Sequence, residues 1–228
     1  MGMFLRRGPA QRGTPIGELP VGTAIKLNVG GTPWEFLIVQ QGLPGDIYAA
    51  SCDGAWLLMK DIYENRQWNS SDSNSYKAST IHTYLGGTFL NLFDSNIQET
   101  IKRVKIPYVN GTGSSAVASL NNGLPCKVFL LSGYELGWTT SDIDSIPVDG
   151  AKLDYFDASF SGNPKRIANF NGEANTWWLR SPNTAYTSSV RYVNKNGGSN
   201  SGSPSGSRGI RPAFILPTEF LVTDDMLA

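Results

Sequence analysis

The sequence predicts an α+β fold. Apolar–polar alternation recurs in short runs bounded by Gly, Pro, Asn and Asp clusters, which reads as short strands. Apolar residues at helical spacing appear in one region, between Ser79 and Val104. Long stretches of turn-forming composition join these runs.

Residues 1–22 mix Gly, Pro and Arg without periodicity and read as an extended arm that a docking partner would order. A domain over residues 23–217 follows, with a tail at 218–228. Ala24–Val29 alternates, Gly30-Gly31-Thr32-Pro33 supplies turn chemistry and Trp34–Val39 resumes the alternation, which predicts a hairpin. A further short strand is expected at Trp56–Lys60. Ile81, Tyr84 and Leu85 fall at helical spacing, and Phe89, Leu90 and Phe93 continue it beyond Gly86-Gly87. Ser95 with Gln98 three residues on has the capping-box pattern, opening a second helix with Ile97, Ile101 and Val104 on its apolar face. Asn110–Gly123 reads as loop, Lys127–Leu131 as strand and Thr139–Gly150 as an acidic connection broken by Pro147. The C-terminal third offers strands at Trp177–Arg180, Ser189–Val193 and Ile210–Leu216.

Six Trp, nine Tyr and ten Phe in 228 residues suffice for a packed core. Nineteen basic residues balance nineteen acidic ones, and no run of like charge provides a local field, so nucleic acid is not an expected partner. Met1–Arg7 lacks the apolar stretch of a signal peptide, Arg6 breaks the myristoylation pattern, and no segment approaches a membrane span. The expectation is a chain made in the cytosol and not inserted in a membrane, with later assembly into a particle left open. Cys52 and Cys126 cannot form a disulfide framework and read as two buried free thiols.

Catalytic patterns are sparse. The single histidine, His82, sits in a helical pattern and reads as structural, and one histidine cannot supply a site needing two or three. Asp142, Asp144 and Asp149 are neighbours, but Ile146 and Pro147 occupy the places where a calcium loop needs a ligand and a turn glycine, leaving a solvated acidic loop. Gly30-Gly31 lacks phosphate-loop spacing. Neither cysteine lies in a nucleophile motif. No metal, cofactor or catalytic residue is expected.

Asn183 to Arg208 is the distinctive stretch. Fifteen of its twenty-six residues are Ser, Gly or Asn, it contains no Asp or Glu, and too few residues follow for it to link two domains. It is therefore displayed by the fold that contains it. Tyr with small polar residues is the composition of adaptable binding surfaces, because Tyr gives contact area at low entropic cost. A solvated hairpin with a long Ser/Gly loop is the plain alternative.

Flanking this stretch, Trp177-Trp-Leu-Arg-Ser-Pro182 and Gly209-Ile-Arg-Pro-Ala-Phe214, with Val190-Arg-Tyr-Val-Asn194 inside it, resemble the C-terminal region of variable proteins of diversity-generating retroelements, found in phages, prophages and bacteria. Ile16–Gly22, Trp56–Tyr63 and Phe129–Tyr134 also resemble prophage proteins carrying that module, so the likeness spans about Ile16 to Pro217. The resemblance implies a C-type-lectin fold of the formylglycine-generating-enzyme type, with short twisted sheets, two helices and long loops. It further implies a variable segment at 183–208 that binds a macromolecular or cell-surface ligand. The contacts would come from Asn183, Thr184, Tyr186, Ser188, Arg191, Tyr192, Asn194, Asn196, Ser199, Asn200, Ser201, Ser203, Ser207 and Arg208. Trp177, Trp178, Arg180 and Arg211 would anchor the scaffold, with the Trp residues alternating across a strand and each Arg forking onto carbonyls or a carboxylate. Ordinary surface arginine is the alternative for the latter pair. The resemblance also implies that adenines in template codons such as AAC are randomised while the last base is kept, which cannot yield Lys, Gln, Glu, Met or Trp. Only Lys195 among the twenty-six belongs to that set, where about five would follow from ordinary usage. A non-diversified phage assembly protein and an enzyme of the related fold are the rival readings, the latter weakened by the lack of a catalytic Cys pair or His cluster.

Overall fold

The computed structural model describes residues 13–158 and 163–228, so residues 1–12 of the expected arm lie outside it. Ala24–Val29 pairs antiparallel with Thr32–Gln41. Gly30 and Gly31 both have positive φ, 61° and 78°, the two-residue turn whose twist matches the strands it joins. Thr32–Gln41 then pairs with Ala55–Met59, which is buried at every residue because it lies mid-sheet with both faces covered. The five-stranded sheet runs in the order Val128–Phe129, Ala213–Leu216, Ala55–Met59, Thr32–Gln41 and Ala24–Val29, antiparallel throughout. Edge-to-face aromatic pairs fill its faces: Trp56 meets Tyr48 at 5.3 Å and Phe129 at 5.6 Å, and Phe214 meets Phe36 and Phe93, both at 5.2 Å.

A second five-stranded sheet, in the order Ser199–Gly202, Val190–Val193, Trp177–Pro182, Ser207–Gly209 and Asn65–Gln67, carries the polar stretch. Its pairings are antiparallel except between Trp177–Pro182 and Ser207–Gly209. The chain passes from this sheet to the first through Ile210-Arg211-Pro212. Ile210 exchanges backbone bonds with Tyr63 and Glu64, and the Pro212 carbonyl accepts from Met59 N–H. The expected strand at Ile210–Leu216 is therefore shortened to Ala213–Leu216. Likewise Lys127–Leu131 yields only Val128–Phe129, because the Leu130 and Leu131 carbonyls turn to Arg180.

Helical structure is limited to short pieces. Ser79 Oγ caps Thr80–Tyr84 by accepting from His82 N–H at 3.2 Å. Gly86-Gly87 does not end the helical path: Leu85–Phe89 forms a π turn and Leu90–Leu92 a 3₁₀ turn, keeping Ile81, Leu85 and Phe89 in the core. The second helix, Ser95–Thr100, is capped by the Asp94 position and not by Ser95. A backbone bridge from Val29 to Phe93 sets the extended entry, and Gln98 reaches back to the Phe93 carbonyl at 2.7 Å, so no capping box closes. The α+β class holds, weighted towards sheet.

The boundaries drawn at Thr23 and Pro217 shift outward. Gly13–Pro15 pairs antiparallel with Leu221–Thr223, and Ile16 is fully buried, so both segments belong to the folded body. Their sequences showed no period because each strand has only three residues.

Candidate functional site

The anchors on either side of the polar stretch are interior groups. Trp177 and Trp178 point to opposite faces of their strand and both are buried, their indole N–H groups donating to the Arg166 and Arg66 carbonyls, each at 2.9 Å. Arg180 is buried and satisfied by five bonds. It donates to the carbonyls of Pro107 (3.0 Å), Leu130 (3.0 Å) and Asp149 (2.7 Å), and forks onto Glu135 at 2.6 and 2.7 Å. Burial works against its charge, but the Glu135 carboxylate more than offsets it and raises the Arg180 pKa. Arg211 donates to the Met59 and Lys60 carbonyls and stacks on the Trp177 ring at 4.5 Å. Neither is a surface arginine.

Between the anchors, residues outside the stretch hold its backbone. Asn74, itself fully buried, spans the neck of the 183–189 loop. Its Nδ2 donates to the carbonyls of Asn183 (3.3 Å), Tyr186 (2.9 Å) and Ser189 (3.1 Å), and its N–H bonds Thr187 O at 3.3 Å. Its Oδ1 accepts from Thr112 N–H at 2.6 Å, which brings the Gly111–Gly113 turn beside that loop. Thr184 N–H bonds Ser145 O, the Pro204 carbonyl accepts from Trp68 and Asn69 N–H, and Gln67 Nε2 reaches Ser205 O. These contacts are made with main-chain atoms and do not depend on the side chains displayed. Sequence reasoning missed Asn74, because the seven residues Asn69–Ser75 are all Asn, Ser or Asp and look like ordinary turn chemistry.

The expected contact residues separate into two groups. Tyr186 is 65% exposed, and Ser188, Asn196, Asn200, Ser203 and Ser207 are also exposed, with Thr184, Tyr192, Ser199, Ser201 and Arg208 partly so. Asn183 and Arg191 are corrections to that set, at 3% and 7% exposure. Asn183 Oδ1 accepts from Ala185 N–H and its Nδ2 donates to Ser201 Oγ, while Arg191 turns inward onto Ser145 Oγ. Asn194 is a turn-former: its Oδ1 accepts from the N–H groups of Asn196 and Gly198. The face is also less uniformly positive than the segment alone implied, since Asp72 accepts from Ser203 and Ser205 hydroxyls.

Strand register sets two short rows on this sheet, which the Arg208 side chain joins by stacking and not by pairing. Asn200 pairs with Tyr192, Tyr192 with Trp178, and Arg208 with Arg66. The Arg208 guanidinium lies over both the Trp178 ring (4.4 Å) and the Tyr192 ring (4.0 Å), and Arg66 lies over Tyr84 at 3.6 Å while bonding Glu64 at 2.9 Å.

Away from this face, Asp149 is not part of a solvated loop. It is fully buried, accepts from Ser181 Oγ at 2.8 Å, and burial lifts its carboxyl from 3.8 to about 7 despite Arg180 nearby. Cys52 and Cys126 are buried and free. His82 packs against Tyr76 and lines one cleft with Cys126, Arg103 and Lys127. Burial raises the Cys126 thiol and lowers His82, so both favour neutral forms, the opposite of a thiolate–imidazolium pair. Among the described residues no group of three or more His, Cys, Asp or Glu is placed to hold a metal ion, and no helix is long and apolar enough to cross a membrane.

Comparison with curated proteins and with solved structures returns no match. A family model described as a domain of unknown function, DUF6273, matches residues 53–218, which include both anchors, Asn74, the buried Arg180–Glu135 pair and the whole polar stretch. On that match, covering well over half of its length, the chain belongs to the DUF6273 family.

Proposed function

We propose that the chain is a recognition protein of the C-type-lectin fold, of the retroelement-diversified variable type, in which the surface of residues 183–208 binds a protein or cell-surface ligand. One observation carries the reading: the stretch is held through its main chain by Asn74, Ser145, Trp68, Asn69 and Gln67, while Tyr186, Ser188, Asn196, Asn200, Ser203 and Ser207 face outward. A fold built this way tolerates changes in the outward residues, because the bonds that fix the loop ask nothing of their side chains. The mixed sheets, short helices and long loops agree with the fold that the resemblance implies. The buried anchors at both ends give the surface a rigid base, which favours binding by lowering the entropy lost on association.

The test is a library in which Tyr186, Ser188, Asn196, Asn200, Ser203 and Ser207 are randomised together, with Asn183, Arg191 and Asn194 kept. Most members should melt within a few degrees of the parent, and selection against unrelated proteins should yield binders of differing specificity. A library that is mostly unfolded, or folded but without binders, would overturn the proposal.

A further inference from the structure

Arg208 is placed unlike the other arginines of the polar stretch and its anchors. Arg180 spends its N–H groups on interior carbonyls and Glu135, Arg211 is buried with its Nε and Nη2 on the Met59 and Lys60 carbonyls, and Arg191 turns onto Ser145. The Arg208 guanidinium makes no hydrogen bond or ion pair with any described residue and is partly exposed. It is nonetheless fixed in position by the Trp178 and Tyr192 rings at 4.4 and 4.0 Å. Two glycines leave room for its ends: a Cβ at Gly202 would lie 2.8 Å from Nη2 and one at Gly206 2.9 Å from Nη1. Directly opposite in register stands Arg66, also stacked on an aromatic ring. Like charges facing each other across strands are unfavourable. Glu64 balances Arg66, and nothing among the described residues balances Arg208.

Resting on the recognition reading above, we infer that Arg208 is a preformed fork for a carboxylate of the bound partner, so that the ligand is a protein surface presenting Asp or Glu at this point. A stacked guanidinium has its planar N–H edges free and already oriented, which suits bidentate binding of a carboxylate. Tyr192, on whose ring Arg208 stacks, and its cross-strand partner Asn200 would flank the carboxylate.

Selection of a random peptide library on the folded protein tests the inference. Peptides recovered on the wild-type chain, and lost when Tyr186 and Asn200 are both changed to Ala, should be enriched in Asp and Glu. That enrichment should vanish on Arg208→Gln and fall on Arg208→Lys, which keeps charge without the planar fork. In a selected peptide, replacing the acidic residue by its amide should weaken binding to wild type by about tenfold or more and change binding to Arg208→Gln little. This pairwise comparison holds even where the variant alone lowers affinity through Trp178. Peptides that bind this face without acidic enrichment overturn the inference and leave the recognition reading standing. Failure to recover any peptide on this face overturns both.

Discussion

Removing Arg180 should be among the most destabilising single changes in the chain. Its guanidinium and the Glu135 carboxylate are both fully buried and bond each other twice, and three carbonyls complete the set. Arg180→Met keeps much of the volume but leaves Glu135 with two partners, Tyr48 hydroxyl and Ser132 N–H, each at 2.8 Å. Breaking one side of such a pair costs about 3–5 kcal/mol, because a buried charge is left without its counterion. For a domain of this size that corresponds to a fall in Tm of roughly 6–20 °C. Glu135→Leu should be similarly damaging, since it strands the guanidinium. The double variant removes both desolvated charges and should cost clearly less than the sum of the singles. Urea unfolding followed by the fluorescence of the six Trp, on wild type, both singles and the double, measures the coupling directly. A loss below about 1 kcal/mol for Arg180→Met, or strictly additive singles, would refute the reasoning.

Asn74→Ala should cost about 2–4 kcal/mol through the carbonyls and the Thr112 N–H it leaves unpaired, with hydrogen exchange accelerating in 183–189 and 111–114 first. Protection there that matches wild type would show the loop is held otherwise. Asp149 should make stability depend on pH: between about 4 and 7 the folded chain keeps a proton the unfolded chain has released, so stability present below about pH 4 declines as pH rises to 7, by up to about 4 kcal/mol. Asp149→Asn should flatten this part of the profile in chemical unfolding, and identical slopes in the two proteins would rule the effect out. Trp177→Ala should lose about 3–5 kcal/mol while Tyr186→Ala stays within about 0.5 kcal/mol; similar losses would mean that Tyr186 is packed.

The sequence by itself determined the local order of this protein. The hairpin over Ala24–Val39, the strand at Trp56–Lys60 and the strands at Trp177–Arg180 and Ser189–Val193 follow, to within a residue or two of those observed, from alternation, apolar runs and turn residues that act over a few positions. It also singled out residues 183–208 by composition, and Trp177, Trp178, Arg180 and Arg211 as their flanking anchors. Only the tertiary structure decided what each polar side chain does, because that depends on partners far away in the chain. Arg180 is interior because Glu135 meets it, whereas Arg208 stays partly exposed because two aromatic rings, and no carboxylate among the described residues, meet it. The strands Ser199–Gly202 and Ser207–Gly209 have no propensity to announce them and exist because Val190–Val193 and Asn65–Gln67 offer open edges. Asn183 looks like Asn200 in sequence, yet one is enclosed by Asn74 and Ser201 and the other faces solvent. Composition specifies which residues are available to a surface, and the long-range hydrogen bonds of the fold select which of them reach it.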